Sequence, residues 1–318
     1  MRHIIVGDIH GCLEELNALI DKVGVRPEDH WIIAGDVVDK GPDSPGAVRR
    51  LRFLSEETNV VVLRGNHELS HEQYLRVLDA QQKFGTKIKI PQRKLDVIVP
   101  IQESLSDSER EFLFSGPLYH RIPVHNVLVV HAGILPTTPE LPDWEDFESL
   151  DRSRRSAIEL HVTRGRFIRG EDRVVLKLTA NVLADMDVAK LQVGESFSVA
   201  DGMGMLTFKV DKSHLLPAGE FVSLGKEEEG DKFWAETYDG RYGHIYFGHQ
   251  PFLRKNPIQF PNATALDLGC VHGNRLAAAV LTEGETPLIV TVDAAKCYSR
   301  PLNDSWLPKV PGFNGEEQ

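Results

Sequence analysis

RHIIVGDIHG, residues 2–11, is an apolar run of strand length that ends on Gly-Asp and then places a histidine two residues further on. A carboxylate and an imidazole are costly to desolvate and add nothing to a core, so their position at the end of a buried strand calls for a neutralising partner. The chain repeats the step twice. CLEELNALIDKVG (12–24) follows, with Leu13, Leu16, Ile20 and Val23 on one helical stripe and Gly24 as a stop, and WIIAGD (31–36) again passes from strand to Gly-Asp. After a second helical stretch, SPGAVRRLRFLSEE (44–57), VVVLRGN (60–66) makes the same move. This βαβαβ order, with strands that read as continuous apolar runs, predicts an α/β fold in which parallel strands are covered on both faces.

Ligands of such sheets gather beyond the carboxyl ends of the strands. GDIHG (7–11), GDVVDKG (35–41) and RGNHE (64–68) all fall there, and two later strands, NVLVVHAGI (126–134) and HIYFGHQP (244–251), end in His131 and His249. Topology therefore predicts that five strand ends bring Asp8, His10, Asp36, Asn66, His131 and His249 together. Singly, each has a bland reading: an Asp after a strand is commonly a helix cap, an Asn a turn former, a His a satisfied strand-end residue. They become ligand candidates as a set.

Carboxylate, imidazole and amide-oxygen donors suit borderline-hard divalent ions, and six of them with water fill the shells of two ions that share Asp36. Two such ions outweigh the coordinating aspartates, so the pocket is expected to be locally positive and to activate a bridging water for in-line attack on phosphorus. His67, beside Asn66, is the candidate general acid, and Asp39 the acceptor for its other ring N–H. Arg64 offers a bidentate fork for phosphate oxygens and Lys40 a point charge.

The bulk properties narrow the class. With 318 residues, 41% hydrophobic and 26% charged, the chain reads as a soluble globular enzyme. Its 47 acidic against 36 basic residues give a net charge of −11, which argues against a nucleic-acid polymer as partner. Cys12, Cys270 and Cys297 show no CxxC spacing, which suggests a reducing compartment. The chain starts on a strand and has no long apolar stretch, so a cytoplasmic protein without a membrane partner is expected. Residues 1–300 read as one catalytic domain. Within it, 80–118 form a helical, cap-like excursion and 171–226 a partly β insertion. TALDLGCVHGNRLAAAVLTEG (264–284) and LIVTVDA (288–294) read as closing hairpins, and 301–318 as a frayed tail.

GDIHG, GDVVDKG, LRGNHE, the histidine after a hydrophobic strand, and GHQP, in this order over residues 7–250, resemble the calcineurin-like metallophosphoesterases, in particular their phosphoprotein phosphatase branch. The resemblance implies central β-sheets sandwiched by helices. It also implies that Asp8 and His10 hold one metal, Asp36 bridges, Asn66, His131 and His249 hold the second, and Asp39 with His67 form the acid pair. The two divalent ions are expected to be manganese, with iron, zinc, nickel or cobalt as alternatives. WAETYDG (234–240), GHQP and LDLGCVHGNRLAAAVL (266–281) look like the bacterial-type members, which include dinucleoside tetraphosphatases and small Ser/Thr protein phosphatases. TRGRFIRG (163–170) resembles the arginine-bearing stretch that leads into the substrate pocket of relatives, making Arg164 and Arg166 candidate phosphate binders. Lys40 stands where the family usually has arginine, so one phosphate fork is lost. The expected activity is dinuclear-metal-dependent hydrolysis of a phosphoric ester or anhydride, on a dinucleoside polyphosphate such as diadenosine tetraphosphate. The alternative is a Ser/Thr phosphoprotein phosphatase; a third reading, an interaction scaffold with a dead site, conflicts with the complete ligand set.

Overall fold

A computed structural model of the chain describes residues 1–85, 89–170, 173–174, 192–200, 205–210, 215–216, 219–223 and 225–300. Much of the expected insertion and the whole expected tail at 301–318 lie outside the described residues. The N-terminal alternation forms as read: β1 (Arg2–Val6), α1 (Leu13–Val23), β2 (His30–Ile33), α2 (Ser44–Glu57) and β3 (Asn59–Val62), with β1, β2 and β3 parallel. Helix α2 starts where Asp43 accepts the Gly46 N–H at 2.8 Å, with Pro45 in the first turn, where its missing N–H is harmless. Helix α1 buries Leu16, Leu19 and Ile20, while Leu13 and Val23 are only half-buried. The expected stripe is thus most deeply buried at the middle turn, with Val23 packed at the edge of the core.

Helices α3 (Asn66–Phe84), α4 (Gln92–Ser104) and α5 (Asp107–Phe114) form the helical excursion. It begins earlier than expected, inside the RGNHE motif itself. The chain then runs through β4 (Tyr119–Ile122), β5 (Val127–Val130), α6 (Arg152–Arg164) and β6 (Phe167–Ile168). Short strands follow: β7 (Arg173–Val174), β8 (Ser196–Ala200), β9 (Met205–Lys209), β10 (Leu215–Leu216), β11 (Phe221–Val222) and β12 (Lys232–Phe233). These pair among themselves and with β6, as the partly β character of the insertion suggested. Helix α7 (Trp234–Thr237) leads to β13 (His244–Phe247), β14 (Ile258–Phe260), β15 (Ala263–Ala265), β16 (Asp267–Leu268), β17 (Arg275–Thr282) and β18 (Leu288–Asp293).

The five strand ends are shared between two mixed sheets. One has the order β16-β17-β1-β2-β3, with β18 on β17; the other has β14-β15-β13-β5-β4. The C-terminal hairpin β17–β18 does more than close the fold, since β17 pairs antiparallel with β1, Ile5 opposite Ala279.

Strand alternation explains the layering. Ile4, Val6, Trp31 and Ile33 face a core shared with α1 and α2. Ile5 and Ile32, pointing the other way, meet Val127, Val129 and Tyr246 of the second sheet. Leu128, Val130, Ile245 and Phe247 pack outward on Ile158, Val162 and Trp234. The result is two stacked sheets with helices on both outer faces. Both faces of β1 and β5 are buried, which is why their sequences are unbroken apolar runs. Among the described residues no helix is long and apolar enough to cross a membrane.

Candidate metal centre

The loops that follow β1, β2 and β13 carry unusual backbone. His10 (φ 47°), Asp36 (50°), Asp39 (72°), Lys40 (65°) and His249 (66°) adopt the left-handed region, and among the described residues Asn126 is the only other non-glycine to do so. Each such residue stores roughly 1–2 kcal/mol. Their clustering shows that the loops are held from outside. The principal clamp is Glu68, in the first turn of α3 and fully buried: its carboxylate accepts the N–H groups of Asp36 and Val37 at 2.8 Å, Gly65 at 2.9 Å and Val38 at 3.4 Å. The loop after β1 is tied in turn to the loop after β2, His10 N donating to Asp36 O at 2.8 Å.

Two histidines are oriented by backbone carbonyls. His10 Nδ1 lies 2.9 Å from Val38 O and His131 Nδ1 lies 2.9 Å from Ala34 O, which puts a proton on each Nδ1 and turns both Nε2 atoms toward Asp36. On one side of Asp36, His10 Nε2 is 3.6 Å from Asp36 Oδ2 and 3.8 Å from Asp8 Oδ2. On the other, His131 Nε2 is 3.4 Å from Asp36 Oδ1, 3.1 Å from Asn66 Oδ1 and 3.1 Å from His249 Nδ1. Two donors each about 2.1 Å from one ion stand roughly 3–3.5 Å apart at octahedral to tetrahedral angles, so the spacing fits a cation on the His131 side of Asp36, while the 3.6 and 3.8 Å separations on the His10 side are somewhat wider. Asp8 Oδ1 accepts His249 N at 2.9 Å, while Asp8 Oδ2 is buried with no hydrogen-bond partner, as a carboxylate oxygen meant for a cation would be. Among the described residues, His10, Asp36 and His67 form one compact set of potential ligand atoms, and Asp36, His131 and His249 another.

The electrostatics point the same way. Burial holds the Asp8 carboxyl well above the usual range, and nearby Asp267 adds to it. Burial also opposes ionisation of Asp36, yet His131, His67 and His10 hold that carboxyl well below the usual range. For His131, burial favours the neutral ring, but Asp36, Asp8 and Glu68 draw it up to about 9. Asp8 and Asp36 are thus two buried carboxylates in one cluster, whose charge a divalent cation would neutralise.

His67 Nδ1 lies 2.5 Å from Asp39 Oδ2, and its Nε2 faces the cluster, 3.8 Å from Asp36 Oδ2. Burial would raise the Asp39 carboxyl, but hydrogen bonds from His67 and His71 hold it well below the usual range. Lys40 Nζ reaches His10 Nε2 at 2.8 Å. Arg64 differs from the free fork expected: Nε donates to Gly116 O at 2.8 Å, Nη1 sits 3.4 Å from Glu72, and the guanidinium lies over the Trp144 ring. The arginine stretch divides. Arg166 Nη2 donates to His249 O at 3.1 Å, and burial lowers its pKa against the pull of Asp267, Asp8 and Asp36. Arg164 does not turn inward; it ends α6 with an exposed side chain, off the face formed by Ile158, His161 and Val162.

Sequence reading missed Glu68, His71, Gln102 and Asp267. Glu68 had a signal, since an acidic residue two after a ligand falls in a first helical turn. His71 had one in its i+4 spacing from His67, whereas Gln102 and Asp267 act through contacts between distant segments, which spacing does not reveal.

The sequence profile of the calcineurin-like phosphoesterases matches residues 1–179. A symmetrical bis(5'-nucleosyl)-tetraphosphatase of Glaesserella parasuis is 34% identical over 290 residues, covering 87% of this chain and 93% of that protein. An asymmetrical bis(5'-nucleosyl)-tetraphosphatase of Oceanobacillus iheyensis is 24% identical, covering 90% of each. A crystal structure described as that of a candidate diadenosine tetraphosphatase superposes with a TM-score of 0.54 at 27% identity, covering 92% of this chain and 93% of the other.

Proposed function

The chain belongs to the calcineurin-like phosphoesterase family, and from that premise we propose that it hydrolyses dinucleoside polyphosphates at a two-metal centre built by Asp8, His10, Asp36, Asn66, His131 and His249. The observation that carries this reading is the arrangement of oxygen and nitrogen donors on both sides of Asp36, with Asp8 Oδ2 on the His10 side buried and without a hydrogen-bond partner. Divalent ions bound there would supply Lewis-acid polarisation of phosphoryl oxygens and an activated water.

The chain's own residues do the rest. Glu68 fixes the backbone of the Asp36 loop, so the donors need little rearrangement. His67, its Nδ1–H given to Asp39, presents Nε2 toward the reacting group and hands a proton to the leaving oxygen. Arg166 and Lys40 place positive charge at the cluster's rim, where the anionic substrate needs it. Arg64 is pre-oriented by Trp144 and Glu72, a fixed cation rather than a searching one. Arg164, exposed, has no part in this account.

The relatives include both symmetrical and asymmetrical tetraphosphatases, so the position of cleavage is the open variable. The test is chromatography of products from diadenosine tetraphosphate with the Mn-loaded protein, beside a phosphoserine peptide. Two ADP per turnover mark symmetrical cleavage and ATP plus AMP asymmetrical cleavage. Phosphate release from the peptide without nucleotide products would replace the reading by protein dephosphorylation. Asp36→Asn is expected to abolish turnover in a folded chain.

A further inference from the structure

Asp39 receives two imidazoles at once. His67 Nδ1 is 2.5 Å from Oδ2, His71 Nε2 is 2.9 Å from Oδ1, and behind His71 the Gln102 Nε2 reaches His71 Nδ1 at 2.8 Å. His71 is 0% exposed and Gln102 3%. Building on the reading of His67 as proton donor, we propose that His71 and Gln102 are positioning residues that aim His67, so that helix α4 of the cap-like excursion takes part in the proton transfer.

Asp39 lies on a loop in left-handed backbone, so no regular structure sets the plane of its carboxylate. A single hydrogen bond, to His67, would leave that plane free to turn about the Cβ–Cγ bond. The second, from His71 to the other oxygen, fixes it. His71 follows His67 by four residues in α3, so both rings project from one helix face toward the same carboxylate. Asp39 can only accept, so His71 Nε2 carries a proton. With the Gln102 amide nitrogen facing Nδ1, the ring is the neutral Nε2–H tautomer; with the amide turned over, Oε1 takes that place and the ring carries two protons. In both arrangements Nε2–H points at Asp39.

Packing does not account for Gln102. Ile98 and Gln102 are the buried residues of α4, and a leucine would fill the second place without desolvating an amide whose Oε1 has no hydrogen-bond partner. The chain of contacts from Gln102 through His71 and Asp39 to His67 joins α4, α3 and the loop after β2.

The test compares phenyl phosphate, whose leaving oxygen needs a proton, with p-nitrophenyl phosphate, which leaves as a stable anion. The Mn-loaded full chain is used, and kcat and KM are measured separately. His67→Asn, run in parallel, is expected to lose far more kcat on phenyl phosphate than on p-nitrophenyl phosphate. His71→Ala is expected to show the same bias, with about tenfold more loss on phenyl phosphate and little change in KM. His71→Gln, whose amide nitrogen reaches the place of Nε2 and keeps a donor toward Asp39, should recover most of it. Gln102→Ala touches none of the ligand-bearing loops and should show a smaller loss of the same pattern; it decides the matter if His71→Ala does not fold. An equal loss on both substrates in His71→Ala and Gln102→Ala, with metal content unchanged, overturns the proposal while His67 keeps its role. Absence of the bias in His67→Asn itself overturns the proton-donor reading, and the proposal with it.

Discussion

At the scale of single residues, the site depends on close approaches that leave no room for variation. A Cβ on Gly248 would stand 2.0 Å from Asp8 Oδ1, the oxygen that accepts His249 N. Gly248→Ala must therefore displace either the Asp8 carboxylate or the His249 loop. We expect a fall in kcat of about a hundredfold together with reduced metal occupancy, read by steady-state kinetics and elemental analysis on a chain whose circular dichroism is unchanged. The ligand candidates were legible only as a set, because each falls within four residues of a strand end, where a single Asp, Asn or His has ordinary structural readings. Orientation was not legible. Nothing in the sequence around Arg64 says that its guanidinium will be taken up by Gly116, Glu72 and Trp144, since these lie 52, 8 and 80 positions away.

At the scale of elements, the first turn of α3 is the keystone of the site. Asn66 and His67 enter the cluster from it, and Glu68 turns the other way to bind the loop after β2. Four backbone N–H groups converge on that one buried carboxylate, so Glu68→Gln replaces an acceptor by a donor facing donors. The expected loss is about 2–3 kcal/mol, measured as a lowered urea midpoint. Exposed Glu14→Gln, in the first turn of α1, should shift it by less than about 0.5 kcal/mol. The sequence placed β1, β2 and β3 well, because strand runs and helix stops alternate without ambiguity. It misjudged where α1 meets the core and where the helical excursion begins, because both are decided by what the helix packs against.

At the scale of the whole molecule, the two sheets meet at the metal-site end through the ligand loops and at the far end through histidines. There His3 of β1 lies against His30 of β2 and His125, which follows β4, with ring centroids 5.2 and 5.0 Å apart. Burial, with the neighbouring rings of His125, His30 and His120 and the N-terminus, lowers His3 to about 4. A histidine depressed in the folded state stays neutral there while the unfolded chain takes up its proton from about pH 6.5 downward. Stability from His3 is thus complete above pH 6.5 and declines as the pH falls toward 4. His161, lowered by burial to about 4, acts in the same sense. For the metal-free protein we expect the urea midpoint to fall between pH 7 and pH 4.5, with a shallower fall in His3→Gln. An identical slope in that variant would assign the effect elsewhere. Sequence alone determined the family motifs, the order of strands and helices, and the donor set of the candidate site, because these follow from local periodicity and from chemistry too costly to bury without purpose. Tertiary structure alone decided how the donors are shared between the two sheets, that Glu68 holds the Asp36 loop while His71 and Gln102 stand behind Asp39, and that Arg166 rather than Arg164 faces the cluster. Each of these is a contact between distant segments, and the free energy that selects it comes from burial and hydrogen bonds that exist only once both sheets have closed on each other.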